Sequence, residues 1–243
     1  MALPILETAT YELTLPSSDV KVKFRPFLVK EEKILLMAME SDNAGEITKA
    51  LKEIVHACTF GTVNCGALPT FDLEYIFLQI RSKSVGEVAK LRLKCPDDKE
   101  TYANVELDLS KVEVQVDDKH SNIIQINDKI KLIMKYPTID SFDQQADAKE
   151  LKTEQLFDMI ATSIHEVYEG ETVHKGSDYS KEDMNKFIDS LTSDHFAKIH
   201  NFFNTMPRLQ HEVKVTNPKT KVESKVMLTG LQSFFVSPSH TTT

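Results

Sequence analysis

The sequence predicts an α+β fold in which a discontinuous, mainly helical domain carries amino- and carboxy-terminal β hairpins and an inserted antiparallel β unit. Three observations carry that expectation. Hydrophobic residues alternate with polar ones near the start, at Tyr11, Leu13 and Leu15 and again at Val20, Val22 and Phe24, the period of two of half-buried strands. Between residues 86 and 136 the same period governs most of the chain. Three- and four-residue spacing, the mark of amphipathic helices, fills the segments on either side.

In chain order, Pro16-Ser17-Ser18-Asp19 supplies the turn of the first hairpin, and Arg25-Pro26-Phe27 stops its second strand. Glu31 to Met39 is rich in helix formers, and Ala44 to Thr59 places Ile47, Leu51, Ile54, Val55 and Cys58 on one helical face. Gly61 ends that helix. A third begins near Thr70, after Pro69, with Leu73, Ile76, Phe77 and Ile80 as its stripe.

Strands are expected at Val88 to Cys95, at Val105 to Leu109, at Val112 to Val116, at Ile123 to Ile126 and at Ile130 to Tyr136. Asp97-Asp98-Lys99-Glu100 and Asp117 to Asn122 are polar turns between them. Helix resumes with Thr153 as its N-cap and Leu156, Ile160, Ile164 and Val167 on one stripe, followed by a loop over Gly170 to Ser177. Ser180 and Ser193 start two more helices, the second carrying Phe196, Ile199, Phe202, Phe203 and Met206. Glu212 to Val215 and Lys225 to Leu228 pair across Asn217-Pro218-Lys219-Thr220 as a second hairpin. The expected organisation is therefore 1–85, hairpin and helices; 86–136, the β unit; 137–236, helices and hairpin packing with 1–85; and 237–243, a flexible tail.

Composition narrows the function classes. A net charge of −8, with Lys and Arg scattered among acids, argues against nucleic acid as a partner. No apolar run approaches the length of a membrane span, and Met1 to Glu12 lacks the basic leader of a secretory signal. Cys58, Cys65 and Cys95 form no paired framework, as expected of free thiols in a reducing compartment.

Catalytic signatures are missing. No nucleophile elbow, His-Glu-x-x-His pair or glycine-rich phosphate loop occurs. Cys95-Pro96-Asp97-Asp98 resembles half of a zinc-ribbon knuckle with Asp in place of the second Cys, and no partner knuckle is read after it, so neither metal nor organic cofactor is expected. His165, His195 and His200 read as ordinary helix residues. The acid pairs Asp97-Asp98, Asp117-Asp118 and Glu169-x-Glu171 fall in turns, where solvated carboxylates are the rule.

Phe202, Phe203, Phe234 and Phe235 are the candidate partner contacts. Ordinary core is the default for such residues. Phe202 and Phe203, however, are adjacent on a helix and point about 100° apart, which leaves open that one faces outward as an anchor.

Thr10 to Glu40, Cys58-Thr59-Phe60-Gly61, Leu68 to Phe77, Cys95 to Asp98, Met134-Lys135-Tyr136-Pro137 and Gly230-Leu231-Gln232-Ser233-Phe234-Phe235 collectively resemble the baseplate hub protein family of T4-like, contractile-tailed bacteriophages. What the resemblance implies is a late protein of tail assembly, used in building the central hub of the baseplate; it does not imply enzymatic activity, and none is expected. Its partners would be other phage baseplate or hub proteins, with copies of itself an open alternative. It would be found in the host cytoplasm during assembly and in the virion tail baseplate if retained there. The rival readings are a tail assembly chaperone absent from the finished virion and an unrecognised hydrolase.

Overall fold

The computed structural model describes residues 7–41, 43–141 and 153–234. Its elements run β1 (Tyr11–Thr14), β2 (Lys21–Phe24), α1 (Val29–Glu40), α2 (Ala44–Cys58), α3 (Thr70–Val85), β3 (Val88–Lys94), β4 (Tyr102–Asp108), β5 (Glu113–Gln115), β6 (Ile123–Gln125) and β7 (Ile130–Met134). Then come α4 (Thr153–Ser163), β8 (Ile164–Glu169), β9 (Thr172–Lys175), α5 (Lys181–Asp189), α6 (Ser193–Thr205), β10 (Arg208–Thr216) and β11 (Glu223–Thr229). A short 3-10 turn follows at Leu231–Phe234. The fold class is α+β, as the periodicities predict. The side chains of Thr153 and Phe235 and the expected tail over 237–243 lie outside the described residues.

The chain forms two compact units, one from Met1–Cys65, Phe71–Gln115 and Arg208–Thr243, the other from Gly66–Thr70 and Val116–Pro207. These boundaries differ from the β unit expected over 86–136. The strands there do not share one sheet: β3 pairs with β4, β5 pairs with β10, and β6 and β7 continue into β8 and β9. A period of two identifies strands but not their partners, and two of the partners, β10 for β5 and β8 for β7, come from beyond residue 136.

In the first unit α3 is the central element. Leu73, Ile76, Phe77, Leu78 and Ile80 are all fully buried, more than one stripe of a helix, as befits a helix packed on most sides. Ile54, Val55 and Cys58 of α2 are buried with it in the core. The hairpins β1–β2, β3–β4 and β10–β11 share a turn. In each, a residue followed by Pro accepts at its carbonyl from the N–H four residues on: Asp19 to Leu15 at 3.0 Å, Lys99 to Cys95 at 3.0 Å, Lys221 to Asn217 at 2.9 Å. The donor is left-handed each time, with φ of 56°, 55° and 66°. Pro at the second position presets the turn, and the left-handed residue reverses the chain into the returning strand.

The second unit is a four-stranded antiparallel sheet, β6-β7-β8-β9, covered by α4, α5 and α6. Leu132, Ile160 and Ile199 are fully buried in its core. Two expectations are corrected here. Ile164 and Val167 belong to β8 rather than to the preceding helix, and Thr172–Lys175 is a strand rather than a loop. Ile164 faces Met134 and Val167 faces Leu132, with an irregularity in register between them. That bulge puts residues three apart on one face of a strand, which in sequence is indistinguishable from a helical step.

Gly176 marks a close approach. A Cβ built there meets the Ile164 carbonyl oxygen at 2.3 Å and that of His165 at 3.3 Å. Both neighbours are backbone, so Gly176→Ala is expected to cost about 1 to 3 kcal/mol, read from denaturant unfolding. An unchanged midpoint would show that the backbone yields freely there.

Candidate functional site

The second strand of the first hairpin ends in Arg25, which ties three elements together. Its backbone N–H donates to the Cys58 carbonyl at 2.9 Å, joining it to the end of α2. Its guanidinium donates to the Pro26 carbonyl at 2.9 Å and to Glu31 Oε1 at 2.9 Å. The other Glu31 oxygen accepts from the Leu28 N–H at 2.8 Å and so satisfies a free donor at the start of α1. Arg25 and Glu31 are 13% and 3% exposed in their side chains. Burial works to raise the Glu31 pKa, but the Arg25 hydrogen bond and the Leu28 N–H outweigh it and hold the carboxylate below its ordinary range. Arg25 is pushed up, first by its bond to Glu31. Such a pair costs desolvation and returns a fixed geometry. Here it fixes the direction of α1.

That pinned helix presents an apolar outer face. Val29, Leu36 and Met37 are 80%, 47% and 59% exposed. Their spacing of seven and one puts them within an arc of about 100°, Leu36 about 20° to one side of Val29 and Met37 about 80° to the other. Lys33 and Glu40 lie exposed on the same side. Exposed apolar residues scattered singly need no explanation, but three on one face of a fixed helix form a patch that contact with another chain would bury. Nothing in the periodicity of Val29 to Glu40 separates its inner from its outer face, because Ile34, Leu35, Leu36, Met37 and Met39 are apolar in near succession.

Three of the four aromatic residues expected to make contacts are buried within the chain. Phe202, Phe203 and Phe234 are buried, and Phe235 lies outside the described residues. In the second unit Phe202 stacks on Tyr136 at 5.6 Å between ring centroids and leans on His120 at 5.2 Å, with Phe203 edge-on at 5.1 Å. His120 bridges Thr205 Oγ1 and Tyr136 Oη, each at 3.0 Å. Burial lowers its pKa, favouring the neutral ring. The 100° between Phe202 and Phe203 falls within the one buried stripe of α6, which they share with Ile199.

A polar chain missed by sequence reasoning lies elsewhere in the second unit. His174 Nδ1 is 2.6 Å from Tyr179 Oη, and its Nε2 is 3.7 Å from Glu169 Oε2. The three stand at a groove that Ile130, Val167, Met184 and Phe187 also line. The half-buried imidazole thus stands between a phenol and a carboxylate. Other polar candidates have partners within the fold. Asp97 and Asp98 bind turn residues, Asp117 accepts from the Lys119 N–H, and His195 and His200 bond within α6 and its cap. Cys58, Cys65 and Cys95 are buried and free, and burial pushes the Cys58 thiol up to about 11. Among the described residues no group of three or more His, Cys, Asp or Glu is placed to hold a metal ion, and no helix is long and apolar enough to cross a membrane.

A sequence model described as T4 bacteriophage base plate protein matches residues 8–236. The chain belongs to that family. Comparison with curated proteins and with solved structures gave no match. The match spans both units, so the whole described fold is that of a phage base plate protein.

Proposed function

We propose that this base plate protein is a non-enzymatic component of the hub of a contractile tail, acting through contacts with other baseplate proteins. Family membership supplies the setting. The observation that carries the contact reading is the outer face of α1, held by the Arg25–Glu31 pair and apolar at Val29, Leu36 and Met37. A side chain on that face adds little to the stability of the isolated chain and gains apolar burial when a partner covers it.

The expected behaviour of Val29→Ser, Leu36→Ser and Met37→Ser combined is a thermal transition within a few degrees of the parent, since exposed substitutions change stability by about 0.5 kcal/mol or less each. Complementation of phage production, together with co-purification of hub proteins, should be lost. A folded triple variant that supports assembly at the parental level would refute the role of this face. The rival role, a chaperone that leaves before the tail is complete, is separated by quantitative mass spectrometry of purified virions beside hub intermediates. Fixed copy number in virions supports the subunit, and presence only in intermediates supports the chaperone.

A further inference from the structure

Two of the three similar turns in the first unit meet face to face. In Cys95-Pro96-Asp97-Asp98 and Asn217-Pro218-Lys219-Thr220 the first and fourth residues stand three apart, each before a left-handed Lys. This is the spacing of a C-x2-C zinc knuckle, and two such knuckles facing each other make the four-ligand site of a zinc ribbon. The two turns are joined by hydrogen bonds that converge on Asp97, beside the ligand position of Asp98. Asn217 Nδ2 donates to both oxygens of Asp97, each at 3.0 Å, across 120 residues of chain. The Thr220 hydroxyl donates to Asp97 Oδ2. Asn217 is fully buried, and its Oδ1 accepts from the Lys219 and Thr220 N–H groups at 2.8 and 3.2 Å. Successive N–H groups aimed at one atom make a concavity suited to negative charge, such as a thiolate at that position.

We infer that the junction of the β3–β4 and β10–β11 turns is a two-knuckle zinc-ribbon site in which a hydrogen-bonded clasp, Asp97 with Asn217 and Thr220, takes the place of the metal. Cys95 is the one thiol among the four ligand positions, and it is buried. The third turn provides an internal contrast. Leu15-Pro16-Ser17-Ser18 has the same backbone, yet Ser17 binds Asp72 of α3 through its N–H, at 3.2 Å, and its hydroxyl. The turn shape alone therefore does not bring two turns together. The clasp also has a position that suits a cross-link. It joins chain segments on either side of residues 116–207, which form most of the second unit, and a link across a long loop offsets the entropy of closing it.

The test is to complete the ligand set in the full chain with Asp98→Cys, Asn217→Cys and Thr220→Cys, and to titrate with Co2+. Binding of about one Co2+ per chain with the visible absorption of tetrahedral thiolate coordination is expected, and the parent should give no such band. Adding Cys95→Ser to the triple variant should weaken binding about tenfold or more. The inference is overturned if the triple variant gives no tetrahedral band, or if Cys95→Ser leaves the band and affinity unchanged, which would assign the metal to Cys58, Cys65 or an unrelated set. Should the triple variant be unfolded without metal, refolding with Zn2+ is expected to recover the native thermal transition. Failure to fold with and without Zn2+ equally counts against the site.

Discussion

Replacing Glu74 with Gln should make the protein more stable relative to its parent as pH rises, by about 3 kcal/mol between about pH 4 and about pH 8. Glu74 lies on α3, where burial raises its pKa from 4.5 to about 7 and the Leu231 N–H, donating to Oε1 at 3.1 Å, only partly offsets that. An acid whose pKa is raised on folding holds its proton more tightly in the folded state. Its contribution is therefore complete below 4.5 and is lost as pH climbs through about 7. Asp72, raised by burial on the same helix, acts in the same direction. His120 opposes them, because its lowered pKa makes the fold gain stability as pH rises through the ordinary imidazole range. Glu31, Asp97 and Asp98 are held low, so their contributions are present above the ordinary carboxylate range and fade only as pH falls below it. Subtracting the Gln curve from the parental one removes these shared contributions. Gln keeps the acceptor for Leu231 without the charge, and parallel curves in denaturant unfolding across this range would refute the raised pKa.

The same helix shows why some of the fold was legible and some was not. Leu73, Ile76, Phe77 and Ile80 announced a buried face, and all four are buried. Asp72 and Glu74 gave no signal, because a carboxylate in a helical pattern reads as the solvent side until its partners, Ser17 and Leu231, are brought in from 55 and 157 residues away. The hairpin turns were legible because their chemistry is local: Pro16, Pro96 and Pro218 preset the same reversal. That two of these turns would meet was not legible, since Asp97, Asn217 and Thr220 are types found in any turn. The exchange of helix for strand at Ile164 has a comparable origin, a bulge imposed by the partner strand β7. At the candidate contact site the sequence pointed to large aromatics. The structure instead leaves exposed the aliphatic side chains Val29, Leu36 and Met37, in a helix whose apolar residues are too continuous to betray which way it faces.

Phe202→Ala is expected to destabilise the second unit by about 3 to 5 kcal/mol, a large share of the roughly 5 to 15 kcal/mol that holds an ordinary domain together. The removed ring fills a fully packed position against Tyr136, His120 and Phe203. Its loss also unseats the imidazole that bridges Tyr136 and Thr205, leaving partly buried polar atoms to find new partners. Assembly should then fail in the way a folding defect fails, more severely at high temperature and with every partner lost together. Phe202→Leu separates this from a lost contact. Leu keeps most of the buried apolar volume, so a cost of about 1 to 2 kcal/mol and near-parental assembly at low temperature are expected. An aromatic anchor in a partner's pocket would be impaired by Leu at every temperature. A Phe202→Ala protein with an unchanged thermal transition that nonetheless loses its baseplate partners would place Phe202 at an interface and overturn its assignment to the core.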